Sequence, residues 1–259
     1  MKQIVLLKVI PDLPEIKIDR ETRKPIFEGV KHKISEVDKR ALEAAIRLKE
    51  KVGGEVLALS MGDDKTRTAL LEALAMGADK IYIINDPKLQ DLDPNATSIV
   101  LQKGIEAIGD FDLILTGEMS LDKMNSQIGP RIAELLDLDQ VTYTKNLEHD
   151  GELRAVRELE YVDEVVRVRL PALISVVREI NEPRIPGLMQ IMKAKKKAQI
   201  TWEAKDLDID PLEIKKQSYV EVLNLAAPEI DRKQVVIEAD TLEEAVLKLV
   251  NNLREEGVI

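Results

Sequence analysis

DLILTGEMSLDKMNSQIGPRIAELL, residues 112–136, decides how the rest of this chain is read. An apolar run of strand length stops at Gly117, a polar loop follows, and from Ser126 to Leu136 apolar residues recur at helical spacing. A strand with no polar face has to be covered on both sides, so this passage is half of a βαβ unit. The same grammar recurs in both directions. QIVLLKV (3–9), EVLALS (55–60), KIYII (80–84) and QVTYT (140–144) read as strands. Between them, residues 35–51 carry Val37, Ala41, Ala44, Ala45 and Leu48 on one helical face, with Ser35 and Asp38 spaced like a capping box. KTRTALLEALAM (65–76) is a helix stopped by Gly77, a residue suited to the left-handed position past a helix end, and residues 94–108 form another. The alternation predicts an α/β fold, doubly wound, with a mainly parallel sheet and helices on both faces.

After Thr144 the period drops to two, with an Asp150-Gly151 turn, which predicts a short antiparallel extension before ALISVV (172–177) returns to the core. Beyond Thr201 the chain loses periodicity over residues 202–233, with prolines at 211 and 228. Such a stretch is uncommon inside a compact domain and reads as a C-terminal arm lying on another subunit, followed by a helix framed by Thr241 and Glu244. The expected organisation is an α/β domain over residues 1–200 and a C-terminal extension over 201–259 that docks on a partner.

Composition narrows the chemistry. The 259 residues are 44% hydrophobic, without an apolar run long enough to cross a membrane, and MKQIVLLKV lacks the features of a signal or transit peptide, so a cytoplasmic protein is expected. With no cysteine, disulfides, thiolate nucleophiles and cysteine-ligated metal centres are excluded. His32 and His149 alone do not build a metal site or a triad. A net charge of −10 argues against a nucleic-acid surface, although Lys193, Lys195, Lys196 and Lys197 cluster in MKAKKKAQ, either as a solvated helix end or as an anchor for an acidic partner.

Ligands of open parallel sheets bind where strand carboxyl ends meet helix amino ends, because unpaired N–H groups and the helix dipole favour an anion there. Three junctions qualify: residues 9–12, residues 60–66 with Gly62 permitting close backbone approach, and the opening stretch. In the last, Ser126 and Gln127 begin a helix whose first amides suit a phosphate, while an N-cap by Asn125 explains the same residues without a ligand. Asp122 is then a turn residue or a partner for ribose or adenine. The loop has neither a Walker lysine-serine pair nor the spaced glycines of a dinucleotide fingerprint, so a nucleotide would be held and not hydrolysed, with no catalytic residue.

Several segments together resemble one family. REINEPRIPGLMQIMKAKKK (178–197), LEALAMGAD (71–79) and the loop from Gly117 to Gly129 are similar, in order and spacing, to signatures of the β (small) subunit of electron-transfer flavoprotein. The resemblance implies a heterodimer with a larger α subunit that carries the redox-active FAD. The β chain would hold an adenine nucleotide, AMP or FAD. Carried over by position, the pocket comprises Leu6, Leu7, Lys8, Ser35, Asp38, Met61 and Gly62. From the loop it takes Gly117, Glu118, Met119, Ser120, Leu121, Asp122, Asn125, Ser126, Gln127 and Ile128, the last three at the phosphate. Leu188 and Met189 match the tip of a loop that docks dehydrogenases, and Glu158 matches an acid near the subunit boundary. Electrons would pass from dehydrogenases through the α-subunit FAD to a quinone reductase or other acceptor.

This sequence departs from the family at SLDKMNSQ (120–127), where Lys123, Met124 and Asn125 replace other residues. VIPDLPEIKID (9–19) and Asp38 look like the branch whose β subunit holds a second, electron-bifurcating FAD. A free-standing adenine-nucleotide sensor of similar fold is the third reading, for which residues from Trp202 onward have no use.

Overall fold

The computed structural model describes residues 1–229 and 232–259. In chain order come β1 (Lys2–Leu6), β2 (Val9–Pro11), β3 (Lys17–Ile18), β4 (Pro25–Ile26), β5 (His32–Ile34), α1 (Glu36–Val52), β6 (Glu55–Met61), α2 (Asp64–Met76) and β7 (Lys80–Ile84). Then follow α3 (Pro94–Ile108), β8 (Leu113–Gly117), α4 (Ile128–Leu135), β9 (Asp139–His149), β10 (Leu153–Glu158), β11 (Asp163–Val168) and β12 (Ala172–Val176). The chain closes with α5 (Leu188–Ala194), β13 (Ala198–Trp202), α6 (Pro211–Lys216) and α7 (Leu242–Glu255).

A nine-stranded sheet in the order β11-β10-β9-β12-β8-β1-β6-β7-β13 carries the fold. Every pairing from β9 to β13 is parallel, and the β9-β10-β11 end is antiparallel. Successive side chains of a strand point to opposite faces, and β1 shows the result. Val5 packs with α1 and α2 in one core, while Ile4 and Leu6 pack with α3, α4 and α6 in the other. Each fully buried leucine or isoleucine here contributes roughly 1.5–3 kcal/mol. The doubly wound α/β reading therefore holds, with its short antiparallel extension.

Local chemistry sets the helix ends. Asp63 caps α2 by accepting from the amides of Lys65 and Thr66, and Asp93 caps α3 at Ala96. Gly77 ends α2 at φ +144°, where a Cβ would press on Ile46.

Four expectations are corrected. Ser35 precedes α1 but caps nothing; its hydroxyl is buried without a partner, and Asp38 points away from the helix start toward the sheet. The fourth helix begins at Ile128 and not at Ser126, because Ser126 sits at φ +53°, outside helical space. QVTYT does not end at Thr144: β9 continues to His149, pairing in parallel with β12 first and antiparallel with β10 afterwards. A left-handed residue, Tyr143 at φ +56°, and register shifts in both ladders absorb the change of partner. Lastly, Trp202 belongs to β13, and Leu207, Ile209 and Ile214 are buried against the α3 side. Residues 202–218 are thus part of the domain, and the stretch without regular structure begins near Tyr219. Residues 230 and 231 of the expected arm lie outside the described residues.

Candidate functional site

From β1 the chain winds outward through β6 and β7, and then returns to place β8 on the other side of β1. The two parallel neighbours therefore diverge in connectivity between β1 and β8, which is where open α/β sheets leave a crevice at their strand ends. Asp38, brought in by the first turn of α1, spans that point. One carboxylate oxygen accepts from the amide of Lys8 (2.8 Å), just past β1, and the other from the amide of Gly117 (3.0 Å), the last residue of β8. Gly117 has to be a glycine because a Cβ would stand 2.5 Å from the Asp38 carboxylate. Burial pushes the Asp38 carboxyl up to about 7, against the opposing pull of the two amides and Lys8, with Asp122 adding to the rise.

Lys8 reaches over this junction. Its ammonium donates to both oxygens of Asp122 (2.9 and 2.7 Å) and to the Ser120 hydroxyl (3.3 Å). The amide of Ser35 donates to the carbonyl of Lys8 (2.8 Å), so Ser35 and its unpartnered hydroxyl sit at the same place. Loop residues 117–127 fold back through the Met124 amide, which donates to Ser120 O, and through left-handed Met124 and Ser126. The loop starts tied to β12 by the Glu118 amide on Val176 O, and burial, with Glu179 nearby, raises the Glu118 carboxyl above its ordinary range.

The loop delivers α4 with a bare amino end. Whereas Asp63 and Asp93 cap α2 and α3, no side chain caps α4. Asn125 is exposed and does not act as its cap; Gln127 takes the N-cap position and its side chain accepts from Arg131 (3.0 Å) instead. Pro130 has no N–H, and Arg131 already bonds Gln127 O, so the free donors are the amides of Ile128 and Gly129. Gly129 lets the helix start lie close to β8 and β12, since a Cβ would meet Thr116 at 3.1 Å.

Of the residues expected from sequence, Lys8, Ser35, Asp38, Gly117, Ser120 and Asp122 are joined by direct hydrogen bonds at this junction. Leu6 ends β1, the Leu7 amide bonds Leu59 O, Met61 ends the adjoining β6 and Gly62 follows it. Met119 and Leu121 are half-buried in the loop, and Gln127 and Ile128 begin α4. Leu188, Met189 and Glu158 lie elsewhere. Leu188 and Met189 open α5, packed beside α2, and are 75% and 69% exposed. Glu158 ends β10 on the antiparallel extension, 3.8 Å from Lys145.

Sequence reasoning missed two sets of residues. Arg131 stands in the first turn of α4, joined to Gln127 and to Asn95 (2.9 Å). A cation in a first turn opposes the helix dipole, and that was the signal available. The second set is on α1, where Arg40, Glu43 and Arg47 grip residues 181–184. Their helical spacing on a charged face reads as ordinary solvated surface. Among the described residues no group of acids and histidines is placed to hold a metal ion, and no helix is long and apolar enough to cross a membrane.

The family model of the electron transfer flavoprotein domain matches residues 26–207. Over the whole of both chains, this chain is 39% identical to the electron transfer flavoprotein subunit beta of Thermoanaerobacterium thermosaccharolyticum. It is 34% identical, again over the whole of both, to the caffeyl-CoA reductase-Etf complex subunit CarD of Acetobacterium woodii. The electron transfer flavoprotein subunit beta of Bacillus subtilis is 40% identical over 81% of this chain and 82% of its own.

Proposed function

This chain belongs to the electron transfer flavoprotein family as a β subunit, and from that premise we propose that it holds an adenine nucleotide at the β1–β8 switch point. One observation carries the proposal: α4 alone of the three helices that follow β6, β7 and β8 starts without a side-chain cap, and it starts at the junction pinned by Asp38. The amides of Ile128 and Gly129 would receive the phosphate, with Arg131 close enough along the helix to balance its charge. The buried Ser35 hydroxyl, lacking a partner, and Asp122 are polar groups for the ribose or the base. Lys8 would exchange Asp122 for the phosphate or keep both. FAD in this pocket would supply a second redox centre; AMP would supply none.

In this reading the chain is an electron-carrier subunit and not an enzyme by itself. It pairs with an α subunit bearing FAD, through residues 219–259. The exposed Leu188 and Met189 dock the dehydrogenases that load it, and Glu158 lies toward the subunit boundary. The electron-bifurcating alternative is favoured by Asp38 together with residues 9–19, whose likeness is to the branch with two flavins.

The test is co-expression with an α subunit, followed by acid extraction and chromatography of the bound nucleotides. A yellow heterodimer releasing AMP beside FAD supports the carrier with a structural nucleotide. A second FAD per heterodimer supports the bifurcating form. A heterodimer releasing only the α-subunit FAD sinks the pocket.

A further inference from the structure

The tip at Leu188 is exposed although the helix it opens, α5, lies beside α2. Ile185, Leu188, Met189 and Met192 all face solvent, and Ile185 is 94% exposed. Behind the segment lies a cleft lined by Ile46, Glu50, Leu74, Met76, Arg184 and Gln190. Packing of α5 on α2, with Ala194 in the core, places the downstream half of the segment. Polar contacts at its two ends fix the course of the exposed tip.

At the upstream end, Arg184 is driven onto α1. Its Nε and Nη2 donate to the Glu43 carboxylate (2.8 and 3.2 Å), its own amide donates to the same group (3.2 Å), and its other side engages Glu50. Glu43 is only 2% exposed. Burial pulls its carboxyl up, but the bonds from Arg184 and Arg47 outweigh that and hold it below the ordinary range. The Arg40 guanidinium, also buried, donates to Asn181 O, while Asn181 Nδ2 donates back to Arg40 O (3.0 Å). Arg47 donates to Glu182 O (3.0 Å). At the downstream end, Lys197 donates to Leu74 O (3.0 Å) and Ala78 O (2.6 Å), and burial lowers its ammonium.

We propose that Arg184, clamped between Glu43 and Glu50 of α1, is a positioning residue that presents Leu188 and Met189 in docking geometry, with Lys197 as the second post. The inference rests on the docking role proposed above for Leu188. A loop already ordered in its bound course loses less conformational entropy on association, so the clamp acts on affinity for the redox partner and not on electron transfer within the complex. A planar guanidinium forks across two carboxylates where an ammonium engages one point, which makes lysine an incomplete substitute.

The experiment uses the heterodimer co-expressed with its α subunit, and as probe a purified flavin dehydrogenase that reduces the wild-type carrier. Arg184→Met is expected to raise KM for the carrier about tenfold, with kcat and the flavin spectrum unchanged, and Arg184→Lys to fall between it and wild type. Amide exchange across residues 185–192 should accelerate in step. Should Arg184→Met fold poorly, Glu50→Gln removes one half of the clamp from an exposed position and is expected to raise KM about threefold. If Leu188→Ala raises KM while Arg184→Met and Glu50→Gln do not, the positioning role is wrong and the docking role stands. If none of the three moves KM, the docking role itself fails and takes this inference with it. A fall in kcat matched by loss of flavin would reduce Arg184 to a purely structural residue.

Discussion

Asp38 joins two strands through a buried carboxylate, and this makes the molecule sensitive to pH in a defined direction. Free in an unfolded chain the group releases its proton near 3.8, whereas in the fold it does so near 7. Between these values the native state binds more protons than the unfolded one, so the contribution is whole below about pH 4 and is lost as pH rises through 7. Its size is on the order of 4 kcal/mol at most. The stability of wild type relative to Asp38→Asn, measured by urea unfolding, should decline across that interval; a flat difference would show an ordinary carboxyl. Gly117→Ala tests the same contact sterically. A Cβ 2.5 Å from the carboxylate oxygen and 2.9 Å from the Asp38 amide nitrogen has nowhere to move, so a loss of about 2–3 kcal/mol is expected in the same assay. Sequence named both residues but for Asp38 pointed to a helix cap. Its true partners are 30 and 79 positions away, and no local spacing encodes a bond of that range.

Helices and strands of the α/β core were legible because burial on both faces leaves a direct mark in apolar runs. α3 spans residues 94–108 as read, with Asp93 and Pro94 at its start. Where an element's identity depends on its neighbours, the sequence was silent. β13, AQITW, follows a run of lysines and becomes a strand only because the edge of β7 is there to pair with it. α7 is the opposite case, plainly written and still without a counterpart. Thr241 caps it at Glu244 and Asp240 bonds back to the Glu244 side chain, but none of its fourteen residues is buried. A lone helix of about that length is marginal in water. Amides 242–255 should therefore exchange rapidly in the isolated chain and become protected on adding the α subunit. Thr241→Ala should weaken that protection by about 1 kcal/mol. Equal exchange with and without the partner would remove α7 from the interface.

The whole molecule divides by burial near residue 219. Up to that point even irregular segments are tied in: Asp93 accepts from the amides of Tyr219 and Val220, and Ser218 accepts from that of Asp93. Beyond it, Val222, Leu223 and Leu225 are exposed, and the Ala227 amide pairs with Arg23 O on the β3–β4 ribbon. Truncation after Glu221 is expected to leave the thermal midpoint within about 2 °C of the full chain, because none of the described residues it removes is buried. The same truncation should abolish co-purification with the α subunit. A midpoint far lower would mean that the arm stabilises its own chain.

The strand order has a consequence for biogenesis. After β12 the chain crosses behind four neighbouring strands before β13 closes the far edge, so Lys80 must wait for Ala198. While the ribosome is still translating that interval, β7 offers an unpaired rim of Ile81 and Ile83 beside a half-finished sheet. Nascent chains arrested before residue 198 should stick to one another or recruit a chaperone, and those released past Trp202 should not.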